Sequence, residues 1–283
     1  MKISLSLSYA SFLWRINAPE DIKMIFHHNN SSIYYTSEGS GPAILLLHGF
    51  LESSTMWSKI APTFYKTHRV ITLDFPGHGK STTVSGIHSM ELFAEISSAL
   101  LVHLDIKTCT LIGHSMGGYV AMAMAELVPH QLEKLVLLNS TPAEDSKERK
   151  LNRERALQLV PKAKDAFVSM AISNLFAEAT REKFPSEIEQ LKTEALEMTA
   201  EGITATISGM KDRKDRTAVL KNFPKPKFMI CGTEDPILPI QECKIVAKNS
   251  NTKLFELEGG HMSHLANFNK LNKIVHFIEN NCV

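Results

Sequence analysis

The chain has almost no net charge. Its 31 Lys and Arg are matched by 30 Asp and Glu, a formal +1. That removes any electrostatic case for a nucleic acid or an anionic membrane as partner. Long apolar runs are missing too: no stretch reaches the ~20 apolar residues that a membrane-spanning helix needs. Cysteine is scarce. Cys109, Cys231, Cys243 and Cys282 show no metal-ligand spacing, and Cys109 and Cys231 sit in apolar strand-like runs. They read as buried free thiols rather than disulfides, which fits a reducing compartment and makes a cytoplasmic address the expectation. There is no HExxH or comparable cluster, so neither a metal nor a cofactor is expected. Internal repeats and low-complexity tracts are also absent. What remains is the composition of a globular protein: 283 residues, 43% of them hydrophobic, enough for one large or two modest domains.

The first residues match no element. Met1 to Trp14 is moderately apolar, but Ser4, Ser6, Ser8 and Ser11 interrupt it, and Ala18-Pro19 makes a poor cleavage site. Residues 1–23 are expected to be an N-terminal extension. A secretory signal and a true start at Met24 stay open as alternatives.

From Met24 onward, runs of strand and helix character alternate. Residues 24–29 and 32–38 predict two strands around a turn at Asn29-Asn30. Ala43–Leu47 and Val70–Leu73 are continuous apolar runs, as in strands buried on both faces. Thr55–Tyr65 predicts a helix, as does Ser89–Leu104. Cys109–Ile112 predicts a strand and Tyr119–Leu127 a helix, followed by a strand over Leu132–Asn139. The pattern then changes. Thr141 to Leu220 has no buried-strand run, and Pro161 and Pro185 divide it into about four helices. Strands return at Lys227–Cys231 and Lys253–Leu257, with helices over Ile240–Lys248 and Leu265–Asn280. This alternation predicts a mostly parallel sheet covered on both faces. The domains expected are a core of residues 24–141 and 221–283, and a helical cap of residues 142–220 over the strand ends, where ligands bind in open α/β sheets.

The chain is organised around Leu111-Ile112-Gly113-His114-Ser115-Met116-Gly117-Gly118, a strand, a tight turn and a helix start with one serine at the turn. Gly113-x-Ser115-x-Gly117 has the form of a nucleophile elbow. Side chains two residues either side of the serine would collide across so sharp a turn. A serine hydroxyl needs a base, and that base needs an acid to hold its tautomer. Both candidates follow in the chain just past strand ends. Glu234 and Asp235 lie in Gly232-Thr233-Glu234-Asp235-Pro236, and His261 and His264 follow Gly259-Gly260. The glycine pair lets the backbone carry His261 toward the serine, which leaves His264 as a structural hydrogen-bonding partner. His48, His78 and His114 flank turns and read as loop anchors. Asp74 reads as an acceptor for its own Gly-rich loop. Two main-chain N–H groups are needed for an oxyanion, and Met116 and Phe50 are placed to supply them.

His48-Gly49-Phe50, Asp74-x-x-Gly77-x-Gly79-x-Ser81, Gly113-His114-Ser115-Met116-Gly117-Gly118, Gly232-x-x-Asp235 and Gly260-His261 together resemble the α/β-hydrolases, from about residue 24 to the C-terminus. The resemblance implies an eight-stranded sheet flanked by helices, a helical cap after the sixth strand, and a triad of Ser115, Asp235 and His261, which favours Asp235 over Glu234. Within the superfamily the chain is similar to capped serine carboxylesterases, among them the pimeloyl-carrier methyl ester esterases, through Gly209-Met210-Lys211-Asp212-Arg213-Lys214-Asp215. Ser115 speaks against the epoxide hydrolases and haloalkane dehalogenases, which carry Asp at the elbow. Tyr119 stands where the menaquinone-pathway lyase has Arg. The implied activity is ester hydrolysis on a small molecule with an apolar acyl part, by a monomer or homodimer. A C–C hydrolase, an acyltransferase and a non-catalytic binding protein stay open. Phe167, Met170, Leu175, Phe176 and Met198 are candidates to line an acyl pocket, against the alternative that they pack the cap onto the core.

Overall fold

A computed structural model describes residues 24–84, 86–177 and 181–281. The extension, its alternative readings and Cys282 lie outside the described residues. Eight strands form one sheet in the order β1-β2-β4-β3-β5-β6-β7-β8. They are β1 Ile25–His28, β2 Ser31–Gly39, β3 Ala43–Leu47, β4 Arg69–Leu73, β5 Cys109–His114, β6 Leu132–Leu138, β7 Lys227–Gly232 and β8 Lys253–Leu257. β2 runs antiparallel to both its neighbours, and every pairing from β4 to β8 is parallel. The hairpin closes at Asn29, which takes a left-handed conformation (φ 49°) that asparagine tolerates.

The apolar strand runs divide by alternation into two cores. Leu45, Leu47, Leu111, Leu135 and Leu137 face one layer. That layer holds α1 (Met90–His103) and α2 (Met116–Leu127). Ile44, Leu46, Ile112, Val136 and Ile230 face the other, where Trp57 and Phe64 pack with Leu271, Val275 and Ile278 of the helix Phe268–Asn281. Two buried faces explain why these strands are apolar throughout.

The segment between β6 and β7 is helical. It carries α3 (Lys147–Ser173), α4 (Pro185–Leu196), α5 (Ala200–Lys211) and α6 (Thr217–Asn222) among the described residues. Pro161 lies inside α3, and the helix breaks at Ala163 (φ −150°, ψ 53°). Pro185 opens α4, where its missing N–H costs nothing. After β7 come α7 (Ile240–Ser250), α8 (Ser263–Ala266) and α9 (Phe268–Asn281).

Two expected helices are different in the structure. Over Thr55–Tyr65 there are two short 3₁₀ turns, Ser54–Trp57 and Ala61–Thr63. Pro62 has no N–H to give, and the adjacent bonds run i→i−3, from Thr63 to Ile60 and from Phe64 to Ala61. The expected Leu265–Asn280 helix is split at Asn267 (φ −129°, ψ 36°) into α8 and α9.

Candidate active site

β5 runs two residues further than its apolar stretch suggests, to His114, so the whole elbow is the single residue Ser115, at φ 50° and ψ −114°. Non-glycine residues in this region carry strain of order 1–3 kcal/mol. The surroundings enforce it. A Cβ on Gly113 would lie 2.3 Å from the Gly117 carbonyl oxygen, and one on Gly117 would lie 2.4 Å from that of Leu47. Ser115 N–H donates to Leu138 O at 3.0 Å, and Ser140 Oγ donates to Ser115 O at 2.7 Å. The turn is thereby pinned to the end of β6.

The downstream candidates converge on this serine. His261 Nε2 lies 2.8 Å from Ser115 Oγ, and His261 Nδ1 lies 2.7 Å from Asp235 Oδ2. Gly259, at φ 95°, lets the loop after β8 turn inward. Asp235 is buried while Glu234 is exposed. Asp235 Oδ1 accepts the N–H groups of Ile237 and Leu238 at 2.8 and 2.9 Å. Asn139 Nδ2 donates to Oδ2 at 2.9 Å. Burial alone would raise the Asp235 pKa, but the His261 ring and these donors bring it below the ordinary carboxylate range. An ionised Asp235 only accepts, so His261 carries its proton on Nδ1 and leaves Nε2 to accept from the serine.

Of the two expected oxyanion donors, Met116 follows the serine in the chain and Phe50 lines the same cavity. Met116 is the first residue of α2, whose leading N–H groups have no intrahelical acceptor. On the facing loop, Gly49 N–H is committed to Glu52 Oε2 at 2.7 Å, so Phe50 N–H is the next donor along. His48 braces that loop: its Nε2 accepts Phe75 N–H at 2.9 Å, so its Nδ1 donates to Gly49 O at 2.7 Å. Asp74 accepts from Ser54 and Lys80 N–H at 2.7 and 2.8 Å. The loop after β3 is thus tied to the loop after β4.

Behind His261 lies a second buried group. Glu52, His114 and His264 place donor atoms within 4.8 Å of one another. His114 Nδ1 lies 2.9 Å from Glu52 Oε2, and His114 Nε2 lies 3.1 Å from the His261 carbonyl oxygen. Burial pushes the Glu52 carboxyl up, but His114 outweighs it and brings the pKa down to about 2. Burial opposes charge on His114 as well, yet Glu52 raises its pKa. With acceptors at both nitrogens, His114 is an imidazolium. A cation engaged at both nitrogens is a poor metal ligand, so the group fits an ion pair better than a metal site. His264 does not form the hydrogen bond expected of it. It stands edge-on to the His114 ring, with centroids 5.2 Å apart, and its Nδ1 has no partner among the described residues. Burial drives its pKa down to about 3.

A cavity of about 580 Å³ opens onto Ser115 and His261. Phe50, Phe167, Met170 and Leu175 line it; Phe176 and Met198 do not. Asn139, at the end of β6, was not among the sequence candidates. Its signal was only its place, the polar residue that ends an apolar strand. In the loop after β6, Asp145 pairs with Arg153 and Arg213, and Glu144 with Lys150.

Known proteins share this architecture. A thermophilic esterase from Thermogutta terrifontis, solved with malate bound, superposes with a TM-score of 0.84 at 29% identity, covering 89% of this chain and 95% of that one. An acetyltransferase component of the acetoin cleaving system of Pseudomonas putida, acting at a dihydrolipoyllysine residue, is 28% identical over 241 residues. That match covers 83% of this chain but only 62% of the relative. An (E)-2-((N-methylformamido)methylene)succinate hydrolase from Acinetobacter baylyi is 25% identical over 74% of this chain and 78% of its own length. The family model described as the alpha/beta hydrolase fold matches residues 42–268, most of the chain, and the chain belongs to that family.

Proposed function

We propose that the protein is a serine carboxylesterase that cleaves small esters through an acyl-enzyme on Ser115. The observation that carries this is the unbroken chain Asp235–His261–Ser115, with hydrogen bonds of 2.7 and 2.8 Å. His261 takes the serine proton as Oγ attacks the ester carbonyl. The charge that develops on the carbonyl oxygen meets Phe50 and Met116 N–H and the N-terminal end of α2. The imidazolium then protonates the leaving alcohol. A water molecule deprotonated by His261 attacks the acyl-enzyme and frees the acid. Residues 142–220 serve as the cap, and the apolar wall of Phe50, Phe167, Met170 and Leu175 receives the acyl part. No helix of the described residues is long and apolar enough to cross a membrane. The protein works as a monomer or homodimer.

The test is a fluorophosphonate probe combined with p-nitrophenyl esters of graded chain length. Stoichiometric labelling at Ser115 and saturable ester turnover are expected; an unlabelled serine in folded protein would refute the assignment. Acyl transfer to a thiol is the second reading, favoured by the relative named as an acetyltransferase component. Product analysis with added thiols separates the two.

A further inference from the structure

The wall of the Ser115 cavity contributed by α3 is basic. Arg149, Asn152, Arg153 and Arg155 all line it, and none of its lining residues is acidic. Spacings of three and four residues put Arg149, Asn152 and Arg153 on one helical face, with Arg155 beside them. Arg153 is neutralised by Asp145, which also holds Arg213 at 2.6 Å, so one carboxylate already serves two guanidinium groups. Arg149 and Arg155 have no acidic partner among the described residues. Arg149 donates to the main-chain oxygen of Ile237, and Arg155 Nη1 donates to Asn152 Oδ1 at 3.1 Å.

A neutral ester with an apolar acyl chain has no use for these charges. Arg149 is half-buried and bonded only to a neutral oxygen, so its guanidinium is desolvated without compensation; Arg155 is exposed beside it, and an anion is what completes the two. The planar fork of arginine matches a carboxylate through two parallel N–H···O bonds. We propose that the substrate of this enzyme carries an ionised carboxylate in addition to its scissile ester, received by Arg149 and Arg155. The proposal rests on the esterase reading above: the apolar part of the cavity takes the chain between the two groups, and α3 supplies the counter-charge.

Binding can be read without turnover in Ser115→Ala protein. Titration calorimetry compares monomethyl hexanedioate with methyl hexanoate, which differ only in the far carboxylate. The anion is expected to bind at least tenfold tighter at low ionic strength. That advantage should shrink as salt is raised and should fall severalfold in Ser115→Ala/Arg155→Gln and in Ser115→Ala/Arg149→Gln. A merely structural role for Arg149, through the Ile237 loop, would weaken both ligands alike and leave their ratio unchanged. Equal affinities, no measurable binding of the anion, or a preference that survives both substitutions would overturn the proposal. Tighter binding of hexyl phosphate than of the monocarboxylate would overturn the carboxylate as the anion. Wild-type turnover of the matching p-nitrophenyl esters separates the two readings. Selective binding without turnover of either ester refutes the esterase and leaves the anion site standing. Turnover without selectivity does the reverse.

Discussion

His114 Nε2 donates to the main-chain carbonyl of His261 across 3.1 Å, so the base of the site is held from behind by a buried imidazolium. The charge on His114 depends on Glu52, 2.9 Å from its other nitrogen. The pair is separated by 62 residues and joins the loop after β3 to the end of β5. Glu52 also accepts Gly49 N–H, immediately before the proposed oxyanion donor Phe50. One ion pair therefore sets both the histidine loop and the oxyanion loop.

Glu52→Gln should be destabilising by roughly 3 kcal/mol, since removing one partner of a buried pair leaves the other uncompensated. Its pH dependence has a definite window. The Glu52 pKa is depressed to about 2, so its contribution is present above the unfolded value near 4.5 and is lost as pH falls through about 2. The His114 pKa is raised, so its contribution is full below the unfolded value near 6.5 and is lost as pH rises through the folded value. The penalty should be largest between about pH 4.5 and 6.5 and should shrink on either side. Urea unfolding of both proteins across that range measures it, and a penalty independent of pH would show that the pair is not ionised.

His264 predicts a slope rather than a step. Its folded pKa is lowered to about 3, so it is buried neutral while the unfolded chain binds a proton below about pH 6.5. Stability should fall as pH drops between those values. His264→Asn should remove one proton from that dependence, about 1.4 kcal/mol per pH unit. His48 and His78, also lowered by burial, keep the remaining slope of the same sign. Identical slopes in wild type and variant would mean that His264 is charged in the folded protein.

The orienting acid can be tested by its neighbours. Asp235→Asn should lower turnover by about 10⁴, because an amide can present its N–H to His261 and stabilise the wrong tautomer. Glu234→Gln should be mild, since Glu234 is exposed and only its main chain is engaged, through N–H to Gly259 O at 2.9 Å. The reverse ranking of the two variants would place the acid function on Glu234.

Asn139→Asp probes the residue that the sequence left unmarked. Asn139 Nδ2 donates to Asp235 at 2.9 Å, and Asn139 Oδ1 accepts from Ser263. Aspartate keeps the shape and tolerates the left-handed backbone there (φ 44°), but it replaces the donor with a second anion. The Asp235 pKa should rise and the acid limb of the rate profile should move upward. Ester turnover against pH reads this directly; an unmoved limb would mean that Asn139 does not act on Asp235.

Much of this arrangement was legible locally, and the rest was not. The elbow announces itself because strand, glycines and helix are consecutive, and the buried strands do so because two covered faces leave continuous apolar runs. A charged turn alone does not separate Asp235 from Glu234; what favours Asp235 is its burial and its contact with His261, while Glu234 is exposed. Glu52 with His114 and Asn139 with Asp235 depend on contacts 62 and 96 residues apart, which no local period encodes. The misplaced helix over Thr55–Tyr65 had the right apolar residues, and Trp57 and Phe64 are indeed buried, but Pro62 forces the tighter turn.

Ser115 itself yields the sharpest test, because two substitutions should agree on activity and differ on stability. Ser115→Ala and Ser115→Gly both remove the nucleophile and should lower turnover by about 10⁶. Their stabilities should differ. At φ 50° and ψ −114° an alanine keeps the Cβ and therefore the strain, whereas a glycine relieves it. Glycine also gives the unfolded chain more freedom, which offsets part of the gain by about 0.4–1 kcal/mol. The relief of order 1–3 kcal/mol exceeds that offset, so Ser115→Gly should unfold at higher urea than Ser115→Ala. Chemical denaturation of the purified pair settles the order. If alanine were the more stable, the elbow would hold no strain worth relieving, and the close contacts of Gly113 and Gly117 would be packing details rather than the force that presents the serine.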